Sequence, residues 1–308
     1  MAVTESAGGL EFRGVRRVAV NGTPLAYREV GAGEPVVFVH GGVSDLRTWE
    51  RQLSPVGERY RAIAYSRRYA RPNDDIPPGA LDPMDPHVDD LVAFLRAIGA
   101  APAHLVGNSW GAFICLLTAI RHPDVVRSLV LEEPPLLPLV LGPGIRPHPG
   151  VLGRSLARHP RATLAVLMFG ARTFAPMAMA YRRGDTALAW QIFARGVLGA
   201  DTFAGLPAQR RQQMRENASV LRAELRAGFP PLPEPAVRTV QAPALLLTGK
   251  RSPAVVRLLS GRLAELLPGV EQVQVPEASH LMHEDNAPFV NGAILRFVAR
   301  RASPSEPR

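Results

Sequence analysis

The sequence predicts an α/β fold: a mostly parallel, eight-stranded sheet flanked by helices and interrupted by a helical insertion. Two observations carry this. Short apolar runs of strand length alternate with longer runs of helical pattern along most of the chain. One stretch, 136–240, breaks that rhythm and holds only helical runs divided by Pro and Gly. The chain therefore divides into a first core part, 1–135, a helical cap (lid) lying over the sheet, 136–240, and a second core part, 241–308.

Taken in order, GVRRVAVNG and TPLAYREVG read as an antiparallel hairpin about Asn21-Gly22, the dipeptide that tight hairpin turns favour. PVVFVHGG, YRAIAYS, AHLVGNS, SLVLEEP, APALLLTG and EQVQVPE are short apolar runs of the kind buried parallel strands show. Between them, PHVDDLVAFLRAIGA, WGAFICLLTAIRHP, PAVVRLLSGRLAELLPG and NAPFVNGAILRFVARR have helical patterns. The insertion carries RATLAVLMFGARTF, DTALAWQIFARGVLG and QRRQQMRENASVLRAELRAGF, and FPPLPEP marks the return to the sheet. The first ten residues and the tail 302–308 read as loose ends.

Bulk properties narrow the function. No uninterrupted apolar run reaches the roughly eighteen residues of a membrane span, and the N-terminus lacks the basic-then-apolar pattern of a secretory signal. With a single cysteine, Cys115, in an apolar helical run, a reducing, cytoplasmic setting is expected. The net charge is +9, but Lys250 is the only lysine and the arginines are scattered through the sequence, so no nucleic-acid partner is expected. No membrane partner is expected either, and monomer and homodimer both stay open.

The chemistry begins at Gly107-Asn108-Ser109-Trp110-Gly111, a G-x-S-x-G string with a strand before it and a helix after it. That context lifts Ser109 onto a sharp turn at a helix N-terminus, where negative charge is favoured. A serine needs a base to ionise near neutral pH. His280, in the loop after the last strand run, is the candidate. His283 follows three residues later, but no third ligand supports a metal pair, so no metal is expected. Oxyanion stabilisation needs backbone N–H groups; Trp110, next after the serine, and Gly42, in the Gly41-Gly42-Val43 loop, are the candidates.

Three motifs together, His40-Gly41-Gly42, the Gly107–Gly111 elbow and Ala278-Ser279-His280, resemble those of the α/β-hydrolases with a helical cap, over about residues 12 to 300. The resemblance implies a triad in the chain order Ser, acid, His. It fits many reactions, from esterases and lactonases to carbon–carbon hydrolases and non-catalytic receptors. Serine at the elbow argues against the branches that use aspartate there.

The sequence departs from the family in two loops. The usual acid follows the strand APALLLTG as G-x-x-D, but here Gly249-Lys250-Arg251-Ser252 puts Ser252 in its place. Some members resembling this chain carry the acid after the strand before the cap, about twenty-four positions past the nucleophile. Glu133 stands 133 − 109 = 24 positions past Ser109 and is the candidate acid; Glu132 should point to the opposite face. In the second loop, Ser66-Arg67-Arg68-Tyr69-Ala70-Arg71-Pro72-Asn73, Arg68 takes the family's arginine position and is expected to tie loops together. Gly31-Ala32-Gly33 lacks the third glycine and the helix of a nucleotide loop and reads as a turn.

The cap's apolar side chains are divided between packing and an apolar pocket above Ser109. Substrate contact is expected from Met168, Phe169, Phe174, Met177, Trp190 and Phe193, with Gly41 and Val43 from the core. These residues predict a serine hydrolase acting on a small hydrophobic ester or lactone, with no cofactor, since protein groups fill every chemical role. Two alternatives stand beside it. One is a carbon–carbon hydrolase of vinylogous diketones, which the Gly-Asn-Ser elbow resembles. The other is a non-hydrolytic or ligand-binding relative, motivated by the missing aspartate.

Overall fold

A computed structural model describes residues 4–5, 12, 14–144 and 147–301. Among the described residues nine strands form one sheet: β1 (Thr4–Glu5), β2 (Arg16–Val20), β3 (Thr23–Val30), β4 (Pro35–Val39), β5 (Arg61–Tyr65), β6 (Ala103–Asn108), β7 (Val126–Glu132), β8 (Ala244–Gly249) and β9 (Glu271–Val275). Their order is β1-β2-β3-β5-β4-β6-β7-β8-β9. The first three pair antiparallel and β5 through β9 run parallel. Eight strands are those the sequence predicts. The ninth, β1, has two residues, too few to show periodicity, and pairs with Arg16 and Arg17 at the sheet edge. Most of the N-terminal ten residues and the whole tail 302–308 lie outside the described residues.

Alternation along the parallel strands builds two cores. Val37, Val39, Leu105, Leu129, Leu131 and Leu246 face one side, against helices Met84–Ala97 and Trp110–Arg121. Val36, Phe38, Val106, Val130, Leu245 and Leu247 face the other, against helices Glu50–Gly57 and Ala287–Ala299. Helix Glu50–Gly57 has no counterpart in the sequence reading, because Pro55 inside it and Gly57 at its end mask an eight-residue pattern.

Strand order fixes where a site can form. From β4 the chain crosses to β5 on one side, while β6 pairs on the other side of β4. Loops after β4 and β6 thus part in opposite directions, leaving a crevice at the carboxyl ends of the strands. His40 and Ser109 follow directly after these two strands.

Between β7 and β8 the described chain is helical and strand-free apart from one isolated bridge, Gly144–Phe229, which joins the chain entering the insertion to the chain leaving it. Its hydrogen bonds run from Gly144 N–H to Phe229 O at 2.8 Å and back at 3.4 Å. The insertion has its own core of Met177, Trp190, Leu198, Phe203 and Met214, which closes on Val43 and Leu281 of the sheet part. One helical stretch, Pro160–Arg182, passes through a π turn at Gly170–Phe174; at 23 residues it is long and apolar enough, by length and composition, to cross a membrane. Arginines interrupt it, so no unbroken apolar run appears in the sequence.

Candidate active site

Ser109 sits between β6 and helix Trp110–Arg121 with φ 51° and ψ −117°, the strained conformation of a residue turned out of its strand. Its N–H donates to Glu132 O at 2.7 Å. The turn holds only because the helix comes very close to β4: a Cβ on Gly111 would lie 2.2 Å from Val39 O. Trp110 opens the helix, so its N–H has no intrahelical partner and is free to receive charge. Gly42 lines the same cavity from the β4 loop. Gly41 does not: a Cβ there would meet Asn108 Oδ1 at 2.8 Å and Ser109 Cβ at 3.2 Å, so it packs behind the serine. The expectation of substrate contact at Gly41 is corrected accordingly; its role is to let the two loops touch.

The structure brings His280 and Glu133 together. His280 Nδ1 lies 2.6 Å from Glu133 Oε2. A carboxylate there accepts a hydrogen bond from Nδ1–H and holds the proton on that nitrogen, which leaves the Nε2 lone pair for a second group. That Nε2 is buried with no hydrogen-bond partner, in a cavity it shares with Ser109. Glu133 is fully buried with φ 47°, so the chain turns sharply as it leaves β7. Its other contacts come from the loop where the family usually carries the acid: Gly249 N–H donates to Oε1 at 2.9 Å, and the Ser252 hydroxyl to Oε2 at 2.9 Å. Ser252 therefore supports the carboxylate at the position where an aspartate would otherwise stand.

Glu132 points away, as strand alternation requires, to a second buried histidine: His283 Nδ1 is 2.7 Å from Glu132 Oε2, and His283 Nε2 is 2.9 Å from Thr48 Oγ1. Asn108 donates to Glu132 Oε2 at 3.2 Å and to His280 O at 3.0 Å, linking the residue before the serine to the histidine loop.

Arg68 makes a two-pronged pair with Asp90, at 2.6 and 2.7 Å. Its neighbour Arg67 reaches the site: its N–H donates to His40 Nε2 at 2.9 Å, and its guanidinium to Gly41 O at 3.1 Å and Glu224 Oε1 at 3.0 Å. His40 Nδ1 faces Gly41 O at 2.8 Å. Burial first, then the charge of Arg67, holds His40 well below the usual histidine range, so it is a neutral brace between the loops. Glu224, from the insertion, lines the cavity, and burial pushes its carboxyl above the usual range.

The cavity, counted together with its opening to solvent, spans about 670 Å³, with Ser109, Trp110, Glu133 and His280 on the sheet side. Phe169, Phe174 and Phe193 line it as the sequence predicts, Phe169 and Phe174 meeting edge-on at 5.2 Å. A smaller space next to it, about 370 Å³ with its opening to solvent, also touches Ser109 and His280 and includes Val43, Phe193 and Leu281. Three predicted contacts are corrected. Met177 and Trp190 are buried in the insertion's own core, Trp190 against Phe203, and Met168 faces outward at 40% exposure. Leu225 and Phe229, near the insertion's return to the sheet, and Val255 and Leu259, on the helix Ala254–Ala264 after β8, also line the wall; nothing in the sequence set them apart from other apolar residues of those segments.

A strained serine on a strand–helix turn, backed by a His–Glu pair at the switch point of a mostly parallel sheet, defines a hydrolase of the α/β class. The α/β-hydrolase fold profile matches residues 34–287, and the chain belongs to that family. Over 286 residues it is 26% identical to 2-(acetamidomethylene)succinate hydrolase of Mesorhizobium japonicum, covering 92% of this chain and 94% of that one. A thermophilic esterase from Thermogutta terrifontis superposes with TM-score 0.70 at 21% identity, covering 93% and 99% of the two chains. The enol-lactonase of Burkholderia xenovorans LB400 gives 0.69 at 19%, covering 92% and 99%.

Proposed function

We propose that this hydrolase cleaves a hydrophobic carboxylic ester or lactone through an acyl-enzyme. The observation that carries the reading is the His280–Glu133 contact, with the free Nε2 and Ser109 opening on one apolar cavity. His280 Nε2 takes the Ser109 proton as Oγ attacks the carbonyl carbon. Glu133 keeps the proton on Nδ1 and stabilises the imidazolium that forms. The N–H groups of Trp110 and Gly42 receive the developing oxyanion. His280 then hands its proton to the leaving oxygen, and activates a water that releases the acid and restores Ser109. The aromatic wall favours an apolar acyl or alkoxy group.

Labelling with a fluorophosphonate, followed by peptide mass spectrometry, tests the nucleophile and base together. The expected adduct is on Ser109 and is lost in His280→Ala, with turnover of short aryl esters lost in parallel. A folded protein that neither labels at Ser109 nor turns over any ester or lactone of a size the cavity admits would overturn the reading.

A further inference from the structure

The helix Pro160–Arg182 carries apolar side chains on two sides, on the outer one mixed with arginines. Its inner side, with Ala162, Val166, Met177 and Ala180, is buried. Its outer side repeats at helical spacing through exposed Arg161, Leu164, Met168, Arg172, Met179 and Arg182. Leu164 is 56% exposed and Met179 45%, and of the eight large apolar side chains exposed among the described residues, six lie between 156 and 188. A helix that packs on one side needs a polar face on the other; an apolar one marks a surface meant for contact.

Charge identifies the partner. From Pro134 to Gly184 the sequence has seven arginines and no Asp or Glu, so this stretch supplies +7 of the chain's +9. Six of those arginines, Arg154, Arg158, Arg161, Arg172, Arg182 and Arg183, are exposed, and none forms an ion pair among the described residues. Some arginines elsewhere, such as Arg47, Arg68 and Arg262, are paired, and others such as Arg211 and Arg222 form no ion pair among the described residues, but their segments carry acids as well. The sequence shows scattered arginines; what sets this segment apart is the missing carboxylates. A second copy of the chain meets this face poorly, because two-fold pairing sets arginine against arginine with no acid to answer. A surface of lipid phosphates answers both features: apolar side chains enter the acyl boundary and arginines reach the headgroups.

We propose that the outer face of Pro160–Arg182 docks, in the membrane plane, on an anionic lipid bilayer. The helix lies flat, because its inner side belongs to the insertion's core. The face runs about 32 Å, at 1.5 Å per residue from Arg161 to Arg182. Phe169 and Phe174 of the same helix line the cavity, so docking brings the wall of the site to the lipid surface, whatever bond that site cleaves.

Co-sedimentation with vesicles tests this, comparing phosphatidylcholine mixed with phosphatidylglycerol against phosphatidylcholine alone. Partition onto the mixed vesicles should be at least about tenfold stronger and fall with added salt. Arg161→Gln/Arg172→Gln/Arg182→Gln should lower it on the order of 100-fold, from about 1 kcal/mol per arginine at an anionic surface. Leu164→Gln/Met179→Gln should lower it as well. All five side chains are exposed, so these variants should keep the wild-type circular dichroism and thermal midpoint. Equal partition onto both vesicle types, or no loss in either variant, overturns the proposal. So does a wild-type dimer, by light scattering without lipid, that Leu164→Gln/Met179→Gln converts to monomer, since the face then belongs to a second copy.

Discussion

Glu133→Gln replaces one oxygen by an NH₂ in a site with three donors around it. Oε1 accepts from Gly249 N–H at 2.9 Å; Oε2 accepts from the Ser252 hydroxyl at 2.9 Å and from His280 Nδ1 at 2.6 Å. Backbone cannot turn away from Gly249, so the glutamine oxygen stays there and the NH₂ faces His280. It then donates to Nδ1, forcing the proton onto Nε2, where His280 can no longer accept from Ser109. In a Ser–His–acid triad an amide in the acid's place costs about 10⁴-fold in turnover, close to 5 kcal/mol. The alternative flip keeps the right tautomer but sets NH₂ against the Gly249 N–H, leaving a buried donor unpaired at about 1–3 kcal/mol. Steady-state kinetics on a short aryl ester should therefore show kcat reduced about 10⁴-fold with KM within a few-fold, and fluorophosphonate labelling slowed in step. The charge-independent packing is kept, so the thermal midpoint should move little. Turnover within about tenfold of wild type would refute Glu133 as the acid, since either amide orientation also loses the carboxylate charge that stabilises the imidazolium.

Other substitutions separate support from chemistry. Ser252→Ala removes one of three hydrogen bonds to Glu133 and should lower kcat by only about tenfold or less, the worth of one hydrogen bond to a charged group; a loss as large as that of Glu133→Gln would make Ser252 a full partner in the triad. Glu224→Ala strands the buried Arg67 guanidinium and should destabilise by about 3–5 kcal/mol in urea titrations, with Glu224→Gln milder because it keeps an acceptor for Arg67. Gly111→Ala puts a methyl 2.2 Å from Val39 O, a backbone atom with no room to yield, and should cost more than about 3 kcal/mol or abolish folding, read by expression and thermal melting. Burial pushes His104 down to about 4, below its unfolded value near 6.5, so the unfolded chain binds the proton first. The stability its neutral form contributes is complete above pH 6.5 and is lost as pH falls toward 4, by about 3 kcal/mol in all. Melting curves across that window should show the loss, and His104→Asn should remove most of this contribution.

Long, strongly patterned elements were legible in the sequence because burial on both faces leaves continuous apolar runs. β6, β7 and β8 and the helix after Ser109 are such cases. Glu133 was legible through the resemblance, which places the acid of some members about twenty-four positions past the nucleophile; its three hydrogen-bond partners were not, since Gly249, Ser252 and His280 arrive from two loops more than a hundred residues away. Phe169, Phe174 and Phe193 were legible as apolar cap residues, but Met168, Met177 and Trp190 were equally so. Which side of a helix meets the cavity depends on how the insertion closes on itself, around Trp190 and Phe203. Arg67 was overshadowed by Arg68 for a similar reason: adjacent residues in a loop have no period to tell them apart, and only their tertiary partners, Gly41 and Glu224 for Arg67 and Asp90 for Arg68, distinguish them.

The Gly144–Phe229 bridge has a consequence for how such a protein can diversify. It brings two chain positions, 85 residues apart by 229 − 144, into hydrogen-bonding distance at a narrow neck. A foreign segment spliced between those points enters and leaves through an unchanged doorway. Ser109, Glu133, His280, Gly42 and Trp110 all stay on the recipient's side, while Phe169, Phe174, Phe193 and Glu224 leave together. With the acid just after β7, ahead of the splice, much of the cavity wall becomes a cassette that recombination can trade in one event with the triad left in place, provided the incoming segment again supplies an acceptor for Arg67.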